Sequence, residues 1–264
     1  MTKKIIIFTL LFSLSFQTFA WGPTGHRVVG KIADSYLSRK AKKNIEKILG
    51  NESIAMSSTW ADFIKADSTY KYLNNWHYIN VKAGLNLTEF TNYLNNDTGT
   101  DAYTKLNFLI GELKKKETSL EQKRFYLRLL IHIEGDIHQP MHVSRAEDLG
   151  GNSINLTWLN ESTNLHALWD EKLLNFQILS YTEFAESINY TTEQQRRDWQ
   201  LQPISEWFFE SYQFADKIYA GIKPEQKLNY RDANEYNYAN IEIIKQQLLK
   251  GGVRLAGLLN EIFG

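Results

Sequence analysis

The segment His132–His142, HIEGDIHQPMH, holds three of the chain's six histidines together with Asp136. An apolar-periodic stretch, SLEQKRFYLRLLIHIEGDIH, leads into it, and Pro140 disfavours helical backbone at the residue before it. The segment therefore reads as the last turns of a helix followed by a turn. On that helix His132 and Asp136 are four residues apart, so an imidazole and a carboxylate share one face. His142 lies just past the turn, where the chain can bring it back toward them. A second pair with the same spacing, His166 and Asp170, follows in NLHALWD. Whatever fold the chain adopts has to close around this concentration of nitrogen and oxygen donors.

Most of the remaining pattern is helical. GHRVVGKIADSYLSRKAKKNIEKILG sets Val28, Val29, Ile32, Ala33 and Leu37 at helical spacing, with Gly50 as a stop. SSTWADFIKAD offers serine caps before a short helix. Ser119 stands three residues before Gln122, the spacing of a capping box. TKLNFLIGELKKK, ISEWFFESYQFADKIYAGI and the stretch from Asp232 to Phe263 read as further helices. Only GGNSINLTWLNESTNLH alternates, through Ile154, Leu156 and Trp158, and predicts a small β-hairpin or an irregular loop near 150–163. The chain has four prolines, no linker composition and no internal repeat. The expected fold class is mainly α, a single compact helical domain over residues 21–264.

Residues 1–20, MTKKIIIFTLLFSLSFQTFA, combine a charged start, a short apolar run and small residues at the end. This predicts a secretory signal peptide cleaved after Ala20, too short to span a bilayer well. The alternative is a buried N-terminal helix or an uncleaved anchor. With cleavage, the expected location is the periplasm or the extracellular medium, with no membrane anchor. The chain has no cysteine, so an exported form gains nothing from an oxidising compartment and depends on its core. At 43% hydrophobic and 13% aromatic residues, it has the material. The formal net charge is zero, which gives no basic stripe for non-specific binding of duplex DNA. An anionic substrate would need positive charge from elsewhere, and bound metal is one source.

A single His-x-x-x-Asp pair is ordinarily a helix-surface hydrogen bond. Two such pairs and a third clustered histidine point instead to a metal site, and without thiolates zinc would use nitrogen and oxygen donors. His77 in NWHYIN and Asp62 in TWADFIK are further candidates; alone, each reads as a core histidine and a helix-capping aspartate. Lys65, three residues after Asp62, reads equally as a phosphate contact or a solvated lysine. Signal cleavage would give Trp21 a free α-amino group, able to chelate a metal together with its own carbonyl oxygen. Gly22, Pro23 and Gly25 make a turn that can fold His26 onto the same ion. Otherwise the segment is an ordinary frayed terminus.

Taken in order, Trp21, His26, WAD 60–62, WHY 76–78, HIEGDIHQPMH 132–142, DLGGN 148–152 and NLHALWD 164–170 carry a resemblance. The chain resembles the zinc-dependent single-strand nucleases that include the secreted fungal S-one and P-one type enzymes and the plant bifunctional nucleases. The missing cysteines place it nearer the bacterial branch, and the tail after Asp170 matches no motif. The resemblance implies a helical fold shared with zinc phospholipase C and three zinc ions. It implies Asp62, His77, His132 and Asp136 for the first ion, and His142, His166 and Asp170 for the second. The third falls to Trp21, His26 and a shared Asp136. His138 is then not a ligand but a supporting or packing residue. Asp62 and Lys65 would be catalytic, Asn152 a phosphate-side contact, and Tyr78 a stacking face for a base. The implied activity is hydrolysis of single-stranded DNA and RNA to 5′-phosphate products by a monomer, with 3′-nucleotides as further substrates. A duplex base would first have to leave its stack, which costs a few kcal/mol. Two rival readings are a zinc phospholipase C and a non-catalytic periplasmic zinc-binding protein. Asp170 speaks against the first, since the corresponding helical pair there ends in Glu. Against the second, His142, His166 and Asp170 supply only three donors and leave a coordination position open.

Overall fold

The computed structural model describes residues 21–264; the expected leader, residues 1–20, lies outside the described residues. The fold is mainly α. Helix α1 (Pro23–Ser35) opens on a proline, which needs no amide donor in the first turn, and buries Val28, Val29, Ile32 and Ala33. The helical pattern that reads through to Gly50 is interrupted. The Ser38 hydroxyl accepts the Ala41 N–H at 3.1 Å and starts a separate helix, α2 (Arg39–Leu49), which Gly50 ends at φ 71°. Two one-turn helices follow, α3 (Ile54–Ser57) and α4 (Trp60–Phe63). The expected serine cap in SSTWAD does not form on the helix carrying Asp62. The Ser58 hydroxyl donates back to the Ala55 carbonyl at 2.7 Å, and α4 has no side-chain cap.

A 3₁₀ segment, Ser68–His77, leads into strand β1 (Ile79–Val81). Helices α5 (Leu87–Asn95), α6 (Ala102–Lys114) and α7 (Leu120–Asp136) each begin with a reciprocal capping box, the last being the Ser119–Gln122 pair legible in the sequence. Helix α7 is the central element. From Leu129 to Asp136 every residue is buried, and α1, α4 and α6 pack around it. A 3₁₀ turn at Pro140–His142 ends in β2 (Val143–Arg145), which pairs in parallel with β1, Ile79 opposite Val143.

The hairpin expected near 150–163 is present. Strands β3 (Asn155–Trp158) and β4 (Glu161–Asn164) pair antiparallel around Leu159 and Asn160, both at positive φ, which suits the twist of a tight hairpin. Helix α8 (Leu165–Ala167), a π turn at Leu168–Lys172 and α9 (Leu173–Asn175) follow without a break. Helices α10 (Tyr181–Ile188), α11 (Glu193–Leu201) and α12 (Ile204–Ala220) precede β5 (Gln226–Leu228), which adds in parallel to β3. The last helix, α13 (Tyr230–Phe263), packs along α1 and α7 and closes the core behind the histidines. No helix among the described residues is long and apolar enough to cross a membrane.

Candidate metal centre

Asp136 ends α7, and three imidazoles converge on its carboxylate. His77 Nδ1 lies 2.9 Å from it, His26 Nε2 3.2 Å and His132 Nε2 3.3 Å. Asp62, on α4, brings Oδ1 to 3.6 Å from His132 Nε2. A neighbouring group forms where the Pro140 turn delivers His142: its Nε2 lies 3.1 Å from His166 Nε2 and 3.5 Å from Asp170 Oδ1, and His166 Nε2 is 3.3 Å from Asp170 Oδ2. The His166–Asp170 pair does not sit on regular α-helix as its spacing suggests, because the π turn at Leu168–Lys172 carries Asp170. Three groups of donor atoms, each within 4.8 Å of one another, result: His26, Asp62 and His132; His77, His132 and Asp136; His142, His166 and Asp170.

The far sides of the rings fix what the near sides can do. His132 Nδ1 is 2.6 Å from the Ser58 carbonyl, His142 Nδ1 is 2.7 Å from the His77 carbonyl, and His166 Nδ1 is 2.7 Å from the Gly150 carbonyl. A carbonyl only accepts, so each Nδ1 carries the proton and each Nε2 is left as a lone pair. His142 and His166 thus turn lone pairs toward each other across 3.1 Å, with carboxylate oxygens beside them. In the other groups, both nitrogens of His26, His77 Nε2 and Asp136 Oδ1 are buried without a hydrogen-bond partner. Buried polar atoms are almost always satisfied, and acceptors facing acceptors are satisfied by a cation. The donor set therefore fits metal ions.

Two glycines make the geometry possible. A Cβ at Gly135 would come within 2.9 Å of His26 Nδ1, so glycine in mid-helix lets that ring lie against α7, stacked on His132 at 3.9 Å. Gly150, at φ 65°, would place a Cβ 2.6 Å from the Met141 carbonyl, and it is the Gly150 carbonyl that holds His166. Asp148 braces the same turn by accepting the Gly151 N–H at 2.7 Å. Gln139, buried between α7 and Pro140, donates to Asp170 Oδ1 and accepts the Met141 N–H at 2.6 Å, orienting that carboxylate. Its place between His138 and Pro140 in the motif was the available signal for it.

Trp21 is fully buried, and the Gly22 N–H donates to the Asp170 carbonyl at 2.7 Å, which ties the start of the described chain to the His166–Asp170 segment. The Lys65 ammonium lies 2.6 Å from Asp62 Oδ1. His138 belongs to none of the three donor groups. The group of His142, His166 and Asp170 opens on a cleft of about 760 Å³ lined by Lys65, His77, Tyr78, His142, Asn152 and His166. Lys71, Asn74, Asn75 and Asn80 also line it, and no motif spacing singles them out in the sequence; Asn164, the first residue of NLHALWD, lines it as well. Asn164 accepts the Ala167 N–H at 2.8 Å and so caps the helix that presents His166. The Tyr78 hydroxyl donates to Asn75 Oδ1 at 3.1 Å, and the Asn152 amide to the Leu149 carbonyl at 2.8 Å.

Burial dominates the electrostatics. It pushes Asp136 up to about 7 and Asp170 up to about 8, and drives His26 down to about 3 and His132 to about 4. Burial would also raise Asp62, but His132, Lys65 and His26 together hold it below the usual carboxylate value. By themselves Asp136, Asp170 and the buried histidines expel charge; of the three carboxylates only Asp62 has a lysine beside it.

The S1/P1 Nuclease family profile matches residues 21–264. The chain belongs to the S1/P1 nuclease family. That membership makes it an enzyme, a hydrolase of phosphodiester bonds, and bears out the resemblance carried by the motifs. Among its relatives, Endonuclease 2 of Arabidopsis thaliana is 30% identical over 270 residues, covering 92% of this chain and 91% of that one. Nuclease P1 of Penicillium citrinum is 30% identical over 269 residues, covering 92% and 98%. Nuclease S1 of Aspergillus oryzae is 28% identical over 197 residues, covering 66% and 61%. The family match runs through α13, well past the last motif that the sequence offered at Asp170.

Proposed function

We propose that this S1/P1-family chain is an exported, zinc-dependent endonuclease. It hydrolyses single-stranded DNA and RNA to 5′-phosphate products and also takes 3′-nucleotides. In this reading residues 1–20 are removed and residues 21–264 work as one monomeric domain; the family match beginning at Trp21 supports that boundary. The observation that carries the reading is the set of lone pairs turned toward one another beside an open cleft. Nitrogen and oxygen donors suit zinc. Asp62, His77, His132 and Asp136 would hold one ion, His142, His166 and Asp170 a second, and Trp21, His26 and Asp136 a third. When bound, zinc supplies Lewis acidity toward a phosphoryl oxygen and a water that ionises near neutral pH.

The chain's own groups do the rest. The Ser58, His77 and Gly150 carbonyls hold three imidazoles in the tautomer that presents Nε2. Lys65 steadies Asp62 and brings a positive charge to the cleft for a phosphate. Asn152 adds a polar contact on the phosphate side, and Tyr78 offers a ring for an unpaired base.

The test compares the exported protein with a form that retains its leader, in which the Trp21 amine becomes an amide and a poor ligand. The exported form should carry about three zinc ions and cleave single-stranded DNA far faster than duplex. A chelator should abolish cleavage and zinc restore it. The leader-retaining form should fold, yet lack one zinc and most of the activity. Cleavage that survives complete chelation would overturn the zinc reading, and full activity with the leader attached would remove Trp21 from the ligand set.

A further inference from the structure

Beside the cleft, the segment that supplies part of its lining also carries a cluster of aromatic rings. Tyr72 and Trp76 stand on the Ser68–His77 segment, whose Lys71, Asn74 and Asn75 line the cleft. The Trp76 ring meets Tyr72 edge-on at 6.0 Å and Phe108 of α6 at 6.2 Å. Helix α6 is fastened to the same wall, because the Ala102 N–H donates to the Tyr78 carbonyl at 3.0 Å. The rings therefore sit on two elements that are joined at Tyr78, a residue that itself lines the cleft.

Their exposure is graded. Trp76 is 7% exposed and forms the floor, while Phe108 is 40% and Tyr72 56% exposed on either side of it. Cations flank the rings. Lys105 Nζ lies 5.0 Å from the Trp76 centroid and 5.5 Å from that of Phe108, and Lys71 borders the cleft end. Neither lysine takes part in an ion pair among the described residues. Exposed rings alone would suit many apolar partners. Exposed rings with an unpaired lysine beside them, on a segment where Tyr72 directly follows the cleft-lining Lys71, suit a flexible strand whose bases stack while its phosphates meet ammonium groups.

We infer that Tyr72, Phe108 and Lys105 form an extended subsite for single-stranded nucleic acid, which binds nucleotides that are not themselves cleaved. The inference rests on the nuclease reading of the cleft. Its consequence is a preference for strands long enough to reach these rings over dinucleotides that fill only the cleft.

The test uses zinc-loaded protein and the double variant Tyr72→Ala, Phe108→Ala. The KM for a long single strand should rise about tenfold or more relative to that for a dinucleotide, because each lost stacking face weakens binding by that order. Tyr72→Phe, which keeps a ring, should retain wild-type values. In Lys105→Ala, the dependence of log affinity on log salt should lose roughly 0.7 of its slope, one single-strand phosphate contact. Anisotropy of a fluorescent single strand reads the subsite independently of cleavage. Equal affinity of wild type and double variant in that assay, or a KM rise shared in full by the dinucleotide, overturns the inference. Failure of wild-type protein to cleave either substrate, with strand binding intact, would strike the nuclease reading instead.

Discussion

Helix α7 carries buried polar groups on two opposite faces, and the two are built differently. On one face His132 and Asp136 look toward His26, Asp62 and His77. On the other, Glu134, and His138 just past the helix end, look toward α12 and α13. The second cluster supplies its own cations. His138 Nδ1 donates to the Glu134 backbone carbonyl at 2.8 Å, and Arg254 donates to His138 Nε2 at 2.9 Å, to Glu210 Oε1 at 3.2 Å and to Gln202 Oε1 at 2.7 Å. Lys250 pairs with Glu210. The Glu134 carboxyl lacks a hydrogen-bond partner, and burial pushes it well above the usual carboxylate range, toward its neutral form. The first cluster has acceptors facing acceptors and, apart from Lys65 at its edge, no cation of its own. A buried network closed by arginine and lysine is structural; one left with surplus lone pairs calls for a foreign cation. This difference accounts for His138 standing apart from the five histidines of the donor groups.

The largest expected effect separates the two faces directly. Asp136→Asn touches the contacts of three histidines and should lose more zinc than Asp170→Asn, with activity down on the order of a thousandfold or more. Glu134→Gln, close to isosteric with the protonated carboxyl, should keep its zinc and stay within a few fold of wild-type activity. Elemental analysis and initial rates decide it. Equal zinc loss in the Asp136 and Asp170 variants would count against a shared carboxylate, and zinc loss in Glu134→Gln would erase the distinction between the faces.

Next in size is the closed cluster. Arg254→Met leaves His138 Nε2 buried without its donor, while the part-exposed Glu210 keeps Lys250, and stranding one buried polar group costs about 1–3 kcal/mol. Urea unfolding in the presence of zinc should show that loss while the folded protein still binds its full complement of metal. If zinc content falls in step with stability, the back of α7 is not independent of its front.

What the sequence made legible follows from the range of the physics involved. His132 with Asp136, and the Ser119 capping box, are local spacings on one helix, and they appear in the structure as written. The alternation around Ile154 and Trp158 likewise produced its hairpin. Arg254 was not legible as the partner of His138, because 116 positions separate them and only the packing of α13 on α7 brings them together. Strands β1 and β2 have three residues each, too few to show alternation. The role of Ser58 was misread because its carbonyl, not its hydroxyl, serves the site by orienting His132. Side-chain motifs announce donors, whereas the backbone carbonyls that aim them leave no trace in residue identity.

The smallest expected effect is a proton count, and it tests whether the open face lacks a cation. Burial lifts Asp136 to about 7 and Asp170 to about 8, against about 3.8 for an exposed aspartate. In metal-free protein at pH 7 these carboxyls therefore hold protons that the unfolded chain has released. The buried histidines work the other way: burial lowers all six, so near their ordinary value of 6.5 the unfolded chain takes up protons that the folded one does not. Only above about pH 7.5, where unfolded histidines are almost all neutral, do the raised aspartates dominate; there the folded metal-free protein binds more protons than the unfolded chain, and its stability falls as pH rises toward and through the folded value of Asp170, about 8. Zinc needs the carboxylates ionised, so its binding must expel those protons. Calorimetric titration of the stripped protein in two buffers of different ionisation enthalpy should register about one proton or more per chain released at pH 7 beyond the release at pH 9, where only groups such as a zinc-bound water still give up protons. Asp170→Asn should reduce the release at pH 7. Release that is unchanged between the two pH values would mean that the carboxylates are already ionised without metal, and that some group other than zinc supplies the open face with its positive charge.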